Sequence, residues 1–119
     1  MSNPKKSIAI AGATGFIGSR LCEVLAVDFH IVGLSRRQRE STEHITWRKC
    51  DLYNLESCIS ALADIDAAVY LVHSMMPSAR LTQARFEDLD LILADNFARA
   101  AKRHHIKQIK TNLIIGKKY

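Results

Sequence analysis

Three glycines set directly behind a short apolar run constrain this chain more than any other feature. The run Ile8-Ala9-Ile10-Ala11 is apolar at every position, as expected of a strand buried within a sheet. Gly12, Gly15 and Gly18 follow at intervals of three. A helical spacing begins among them, with Ile17, Leu21, Val24 and Leu25 as its expected apolar residues. A strand that turns on glycine into a helix presents unpaired N–H groups and the positive end of a helix dipole at the turn. Such a turn suits a pyrophosphate, so the segment reads as a dinucleotide-binding site. Gly12 is expected to make the tight turn, Gly15 to let phosphates approach the backbone, and Gly18 to bring the helix close to the sheet. Ala13, Thr14, Phe16 and Ile17 complete the expected contact segment.

Downstream, strands and helices alternate. His30 to Ser35 reads as a second strand and Ile45 to Cys50 as a third, joined by a polar stretch from Arg36 to His44 that is short for a crossover helix. Asn54 is placed to cap a helix carrying Leu55, Ile59 and Leu62 on one face. Ala67 to Val72 forms the fourth strand, and Ser74 to Gln83, with Pro77, reads as loop. A long helix from about Arg85 to His104 has the stripe Phe86, Leu89, Leu93, Phe97 and Ala100. Glu87, Asp88 and Asp90 lie near its start and Lys102-Arg103-His104-His105 at its end, in the sense the dipole favours. Ile106 to Ile109 opens a fifth strand. The pattern predicts an α/β fold, a doubly wound parallel Rossmann-type sheet in the order 3-2-1-4-5. Its ligand crevice is expected between strands 1 and 4.

That placement brings three further segments to the crevice. An acid at the end of the second strand would hold the ribose hydroxyls of NAD; this chain has Ser35-Arg36-Arg37 instead. Guanidinium groups pair with a 2′-phosphate, which favours NADP, with NAD possible; two solvated surface arginines are the plainer alternative. Val72, His73 and Ser74 close the fourth strand and are expected to line the ribose or nicotinamide end. No partner carboxylate for His73 is identifiable from spacing, so it is not assigned as a base.

Gly12-Ala13-Thr14-Gly15-Phe16-Ile17-Gly18 resembles the glycine turn of the short-chain dehydrogenase/reductase superfamily, in particular its extended and atypical branches. Asp51-Leu52 resembles that family's adenine-contacting pair, although Asp51 also suits a cap on the turn into the next helix. Tyr70-Leu71-Val72-His73-Ser74-Met75 and Asp95-Asn96-Phe97-Ala98-Arg99-Ala100-Ala101 resemble its fourth strand and the following helix. The resemblance spans about Ser7 to Ile109 and implies the cofactor domain of an oxidoreductase or epimerase-like enzyme. The family's usual proton donor is a tyrosine four residues before a lysine. Here Tyr53 precedes Ser57, Tyr70 precedes Ser74 and Tyr119 is last, so no catalytic residue is assigned. The pattern departs from the family near Lys110, as a truncated or frame-shifted chain would. A nucleotide-sensing module like the nitrogen-metabolite-repressor branch and an inactive fragment are the alternatives.

Composition narrows the partners. The 119 residues fit one domain, 1–119, with a formal charge of +5. The basic clusters lack interleaved aromatics and any nucleic-acid motif, so no nucleic acid is expected. The apolar runs fall short of a membrane span and Met1 to Lys6 is not followed by a signal-type segment; the expectation is cytoplasmic. Cys22, Cys50 and Cys58 lack disulfide or zinc spacing and are expected to be reduced and packed, with no metal site. A fifth strand at the edge predicts a possible homodimer through that edge.

Overall fold

The apolar run ahead of the glycines becomes the central strand. In the computed structural model, which describes residues 5–72 and 83–111, β1 (Ser7–Ala11) pairs in parallel with β2 (His30–Ser35) on one side and β4 (Ala67–Tyr70) on the other. β3 (Ile45–Lys49) extends the sheet beyond β2, and β5 (Gln108–Thr111) beyond β4. The order is β3-β2-β1-β4-β5, as the alternation of elements predicts.

Side chains alternate across this sheet with the period of two that a strand imposes. Ala9, Ala11, Val32, Leu34, Ala68 and Tyr70 face one layer, and Ile8, Ile10 and Ile31 face the other. The first layer is closed by α2 (Leu55–Ala61) and α3 (Gln83–Arg103), the second by α1 (Phe16–Leu25). Small alanines on the first face let two helices lie close, with Leu62, Cys58 and Phe97 filling the space between. The Phe97 ring meets that of Tyr70 at 5.2 Å between centroids, tilted by 48°.

Helix α1 corrects its expected stripe. Gly18 and Cys22 are buried and Leu21 and Leu25 half-buried against the sheet, whereas Ile17 and Val24 are 58% and 68% exposed. The inner face is therefore rotated by about one residue. Gly18 has to be at the contact, and the 3.6-residue period then fixes its neighbours.

The other helices follow the sequence more closely. Asn54 Oδ1 accepts from Ser57 N–H at 2.9 Å, capping α2. Helix α3 begins at Gln83, so Glu87, Asp88 and Asp90 lie beyond its first turn, where the dipole's influence has faded. The side chains of Phe86 and Leu89 lie outside the described residues; Leu93, Phe97 and Ala100 are buried as expected. Lys102 and Arg103 occupy the last turn. The two histidines then diverge in role. His105 takes a left-handed conformation (φ 60°), with His105 N–H donating to Lys102 O and Ile106 N–H to Ala101 O: a Schellman ending. His104 Nε2 instead bonds Ile59 O, tying α3 to α2, so it is more than the helix-end cation expected.

Residues 36–44 form no helix. They run along the outer edge of β3, where Trp47 N–H donates to Ser41 Oγ and Ile45 N–H to Thr42 Oγ1. Side chains thus occupy backbone positions that an edge strand would otherwise offer to another chain.

Candidate functional site

The chain runs outward from β1 through β2 to β3, then returns to β4. This reversal opens a crevice at the carboxyl ends of the strands. An open cleft of about 650 Å³ lies there. Its wall is built from the ends of four strands and one residue of α3, Leu93.

The glycine turn forms the floor. Gly12 has φ +91°, and a Cβ on it would stand 2.9 Å from the carbonyl carbon of Leu71, so both conformation and space require glycine. Gly15 N–H returns to Gly12 O at 3.1 Å, closing the turn. Gly15 itself is extended (φ −76°, ψ 173°), and a Cβ there would meet only Gly12 O, at an ordinary 3.5 Å. The turn therefore leaves Gly15 open to the cleft. Gly15, the N-cap of α1, has no side chain with which to cap the helix.

Beyond β2, Ser35, Arg36, Arg37 and Arg39 line the cleft together. Ser35 Oγ accepts from Arg37 N–H at 3.2 Å, and Ser35 O from Cys50 N–H at 2.7 Å, which fixes this corner to the end of β3. Arg39 lies over the Trp47 ring, 4.7 Å from its centroid, and Trp47 lies so close to β2 that a Cβ on Gly33 would be 2.6 Å from it. Three guanidinium groups give this end of the cleft a positive field.

At the end of β3, Leu52 and Tyr53 line the cleft with Cys50. Asp51 is not among the lining residues: its Oδ1 accepts from Tyr53 N–H at 3.0 Å, which holds the turn toward α2. Asn96, on α3, donates to Leu52 O at 2.8 Å and anchors the same turn. Interaction with the Cys58 thiol and burial push the Cys50 thiol far up, while interaction with the Cys50 thiol lowers Cys58. Burial raises the Cys22 thiol, with Glu23 adding to it.

Leu71 and Val72 close the cleft from the β4 side. His73 and Ser74 lie outside the described residues. Of the expected site residues, Gly12, Thr14, Gly15, Ser35, Arg36, Arg37, Leu52 and Val72 meet at the cleft. Ala13 is buried under α1 and Gly18 lies behind the turn. Phe16 is 80% exposed and, with Ile17, extends from the first turn of α1 outside the cleft wall. Arg39, Cys50, Tyr53 and Leu93 were not expected there. In the sequence Arg39 is one more basic residue after Arg36-Arg37, and Leu93 reaches the cleft through tertiary packing.

A parallel β3-β2-β1-β4-β5 sheet with a glycine turn at its switch point defines a Rossmann-type α/β protein. Residues 8–116 match the NAD dependent epimerase/dehydratase family, and the chain belongs to that family, within the short-chain dehydrogenase/reductase superfamily. The match continues past Lys110, so the departure expected there does not end the resemblance. The chain is 35% identical over 108 residues to the auxiliary protein GraX of Staphylococcus aureus, covering 88% of this chain and 35% of that one. It superposes on UDP-N-acetylglucosamine 4-epimerase from Bacillus cereus with a TM-score of 0.73 and 30% identity, over 90% of this chain and 35% of the epimerase. The NADPH-dependent quinone oxidoreductase QOR2 of Escherichia coli, solved with NADPH, gives 0.67 and 26%, over 87% and 35%. The chain thus spans about a third of the length of these relatives. No described helix is long and apolar enough to cross a membrane.

Proposed function

We propose that this chain is the cofactor domain of a short-chain dehydrogenase/reductase-like oxidoreductase and prefers NADP to NAD. The observation that carries the preference is the group Arg36, Arg37 and Arg39 at the end of β2, beside Ser35 and with no carboxylate among the described residues that line the cleft. A ribose diol needs an acceptor at this position, whereas a 2′-phosphate needs donors and positive charge, which the three guanidinium groups supply. The pyrophosphate lies against Gly12, Thr14 and Gly15 at the uncapped end of α1, the adenine between the arginines and Leu52, and the nicotinamide end toward Val72, His73 and Ser74. When bound, the dinucleotide supplies the hydride chemistry; the residues of this chain bind and orient it. Calorimetric titration with NADPH and NADH tests the reading: the expected result is tighter binding of NADPH, and equal affinities overturn the preference.

A second reading, a non-catalytic accessory protein that senses the nucleotide for a partner, is favoured by one observation. The relative at 35% identity is called an auxiliary protein. Tight NADPH binding without turnover in the longest natural form of the protein would select this reading. Gln108, Ile109 and Lys110 of β5, the outermost strand among the described residues, are exposed, so edge pairing into a homodimer is also proposed. Sedimentation analysis at two concentrations tests it, and a monomer at both rejects it.

A further inference from the structure

Trp47, the only tryptophan of the chain, holds the third cleft arginine in two ways. Its ring centroid lies 4.7 Å from Arg39 Cζ. Its backbone N–H donates to Ser41 Oγ at 2.9 Å, and Thr42 N–H donates to Ile45 O at 2.9 Å, so the loop that carries Arg39 is strapped to β3. The ring itself has little freedom. Trp47 pairs with Gly33 in the β2–β3 register, and a Cβ on Gly33 would stand 2.6 Å from its Cζ3 and 2.7 Å from its Cε3. The indole is also half-buried against the layer of Ile8, Ile10 and Ile31. Arg39 lines the cleft, whereas Trp47 does not. Among the described residues, the Trp47 ring is the partner of the Arg39 guanidinium, and no hydrogen bond or ion pair engages its N–H groups. A cation over a ring face is held without using those donors, which stay available to a ligand.

We infer that Trp47 is a positioning residue for dinucleotide selectivity: its ring presets the Arg39 guanidinium at the cleft as a donor to the 2′-phosphate of NADP. The inference rests on the NADP reading above and deepens it. A free arginine side chain loses rotamer entropy when it engages a ligand, and one already held over a ring loses less. Trp47 therefore adds to NADPH affinity without touching the nucleotide. NADH has a hydroxyl at that place and gains little from it.

The test is calorimetric titration of NADPH and NADH against the wild-type chain, Arg39→Gln, Trp47→Leu, Trp47→Phe and the double variant Arg39→Gln/Trp47→Leu, each first compared with wild type by circular dichroism. Arg39→Gln is expected to weaken NADPH binding about tenfold. Trp47→Leu should weaken it about two- to fivefold, the worth of an exposed cation–π contact, with NADH unchanged in both. Trp47→Phe keeps an aromatic face and should keep most of the affinity. In the Arg39→Gln background Trp47→Leu should cost nothing more, because its effect runs through the guanidinium. A Trp47→Leu chain that retains full NADPH affinity, or that loses as much without Arg39 as with it, overturns the inference. Equal wild-type affinities for the two nucleotides bring down the NADP reading and this inference together; a wild-type preference that survives in Trp47→Leu brings down the inference alone. Fluorescence supplies a measurement that leaves Trp47 in place. The emission of this single tryptophan should shift when NADP⁺ saturates the wild-type chain, and should stay constant with NAD⁺ and with either nucleotide in Arg39→Gln. An emission indifferent to NADP⁺ that calorimetry shows to be bound also overturns the inference.

Discussion

Gly18 lies so close to Gly12 that a Cβ built on Gly18 would overlap the Gly12 carbonyl oxygen and stand 2.9 Å from Ala13 Cα. Those neighbours are backbone atoms and have no rotamer into which to retreat. Gly18→Ala is therefore expected to destabilise the fold by about 1–3 kcal/mol or more, the usual cost of overpacking. Urea denaturation followed by circular dichroism measures it. A midpoint equal to wild type would mean that α1 can slide away from the turn at no cost.

Gly15 should behave in the opposite way. Its Cβ position is in ordinary contact with one atom, and its backbone is extended, a conformation open to any residue. Gly15→Val is expected to keep the wild-type circular dichroism spectrum and melting curve while losing NADPH binding, because the added methyls occupy the space proposed for the pyrophosphate. A folded variant that still binds would place the phosphates elsewhere. Comparing the two substitutions separates glycine needed for packing from glycine needed for a ligand.

The contrast also shows what the sequence made legible. Strand order, the glycine turn and the corner at Ser35-Arg36-Arg37 depend on local pattern, and the structure brings them together at one cleft. The inner face of α1 does not follow hydrophobicity, since Ile17 and Val24 are more hydrophobic than Gly18 and are exposed. Close approach to the turn selected the small residues instead. Tyr53 and Cys50 reach the cleft because of where β3 stops, a boundary set by hydrogen bonds to Ser35 and Ser57 rather than by residue type. Arg39 joins them because the loop that carries it folds along the edge of β3 and stacks it on Trp47, a contact between non-adjacent residues.

Replacing Arg36 and Arg37 together with alanine is expected to erase the NADPH preference. The loss should be about 1.5–3 kcal/mol in NADPH binding, the range for hydrogen bonds to charged groups, with little change for NADH. Titration of both nucleotides against both proteins checks this. A parallel loss for the two cofactors would assign the arginines a general role in folding or charge.

The Tyr70–Phe97 contact predicts where stability is concentrated. Phe97 is 1% exposed and links α3 to the face of β4, so Phe97→Ala should cost about 3–5 kcal/mol through lost burial and the cavity left behind. His105→Gly should act in the other direction. His105 holds φ 60° at the end of α3, where glycine avoids the Cβ penalty, and a gain of about 1 kcal/mol is expected. Thermal denaturation of both variants tests the pair; a destabilised His105→Gly would mean that its side chain makes a contact worth more than the backbone strain.

The last prediction concerns chemistry. The 119-residue chain alone should show no hydride transfer from NADPH to aldehydes, ketones or quinones. A bound cofactor supplies the hydride, but the developing alkoxide also needs a proton and a held substrate. No tyrosine here precedes a lysine by four residues, and the cleft wall at the end proposed for the adenine is made largely of leucine and arginine side chains. General acid help is typically worth about 10²–10⁴-fold and positioning more again, so losing both should take the rate below detection. The assay follows NADPH absorbance over a panel of carbonyl substrates, with calorimetry on the same sample to show that cofactor is bound. Saturable turnover that disappears in His73→Ala would overturn the prediction and make His73 the proton donor.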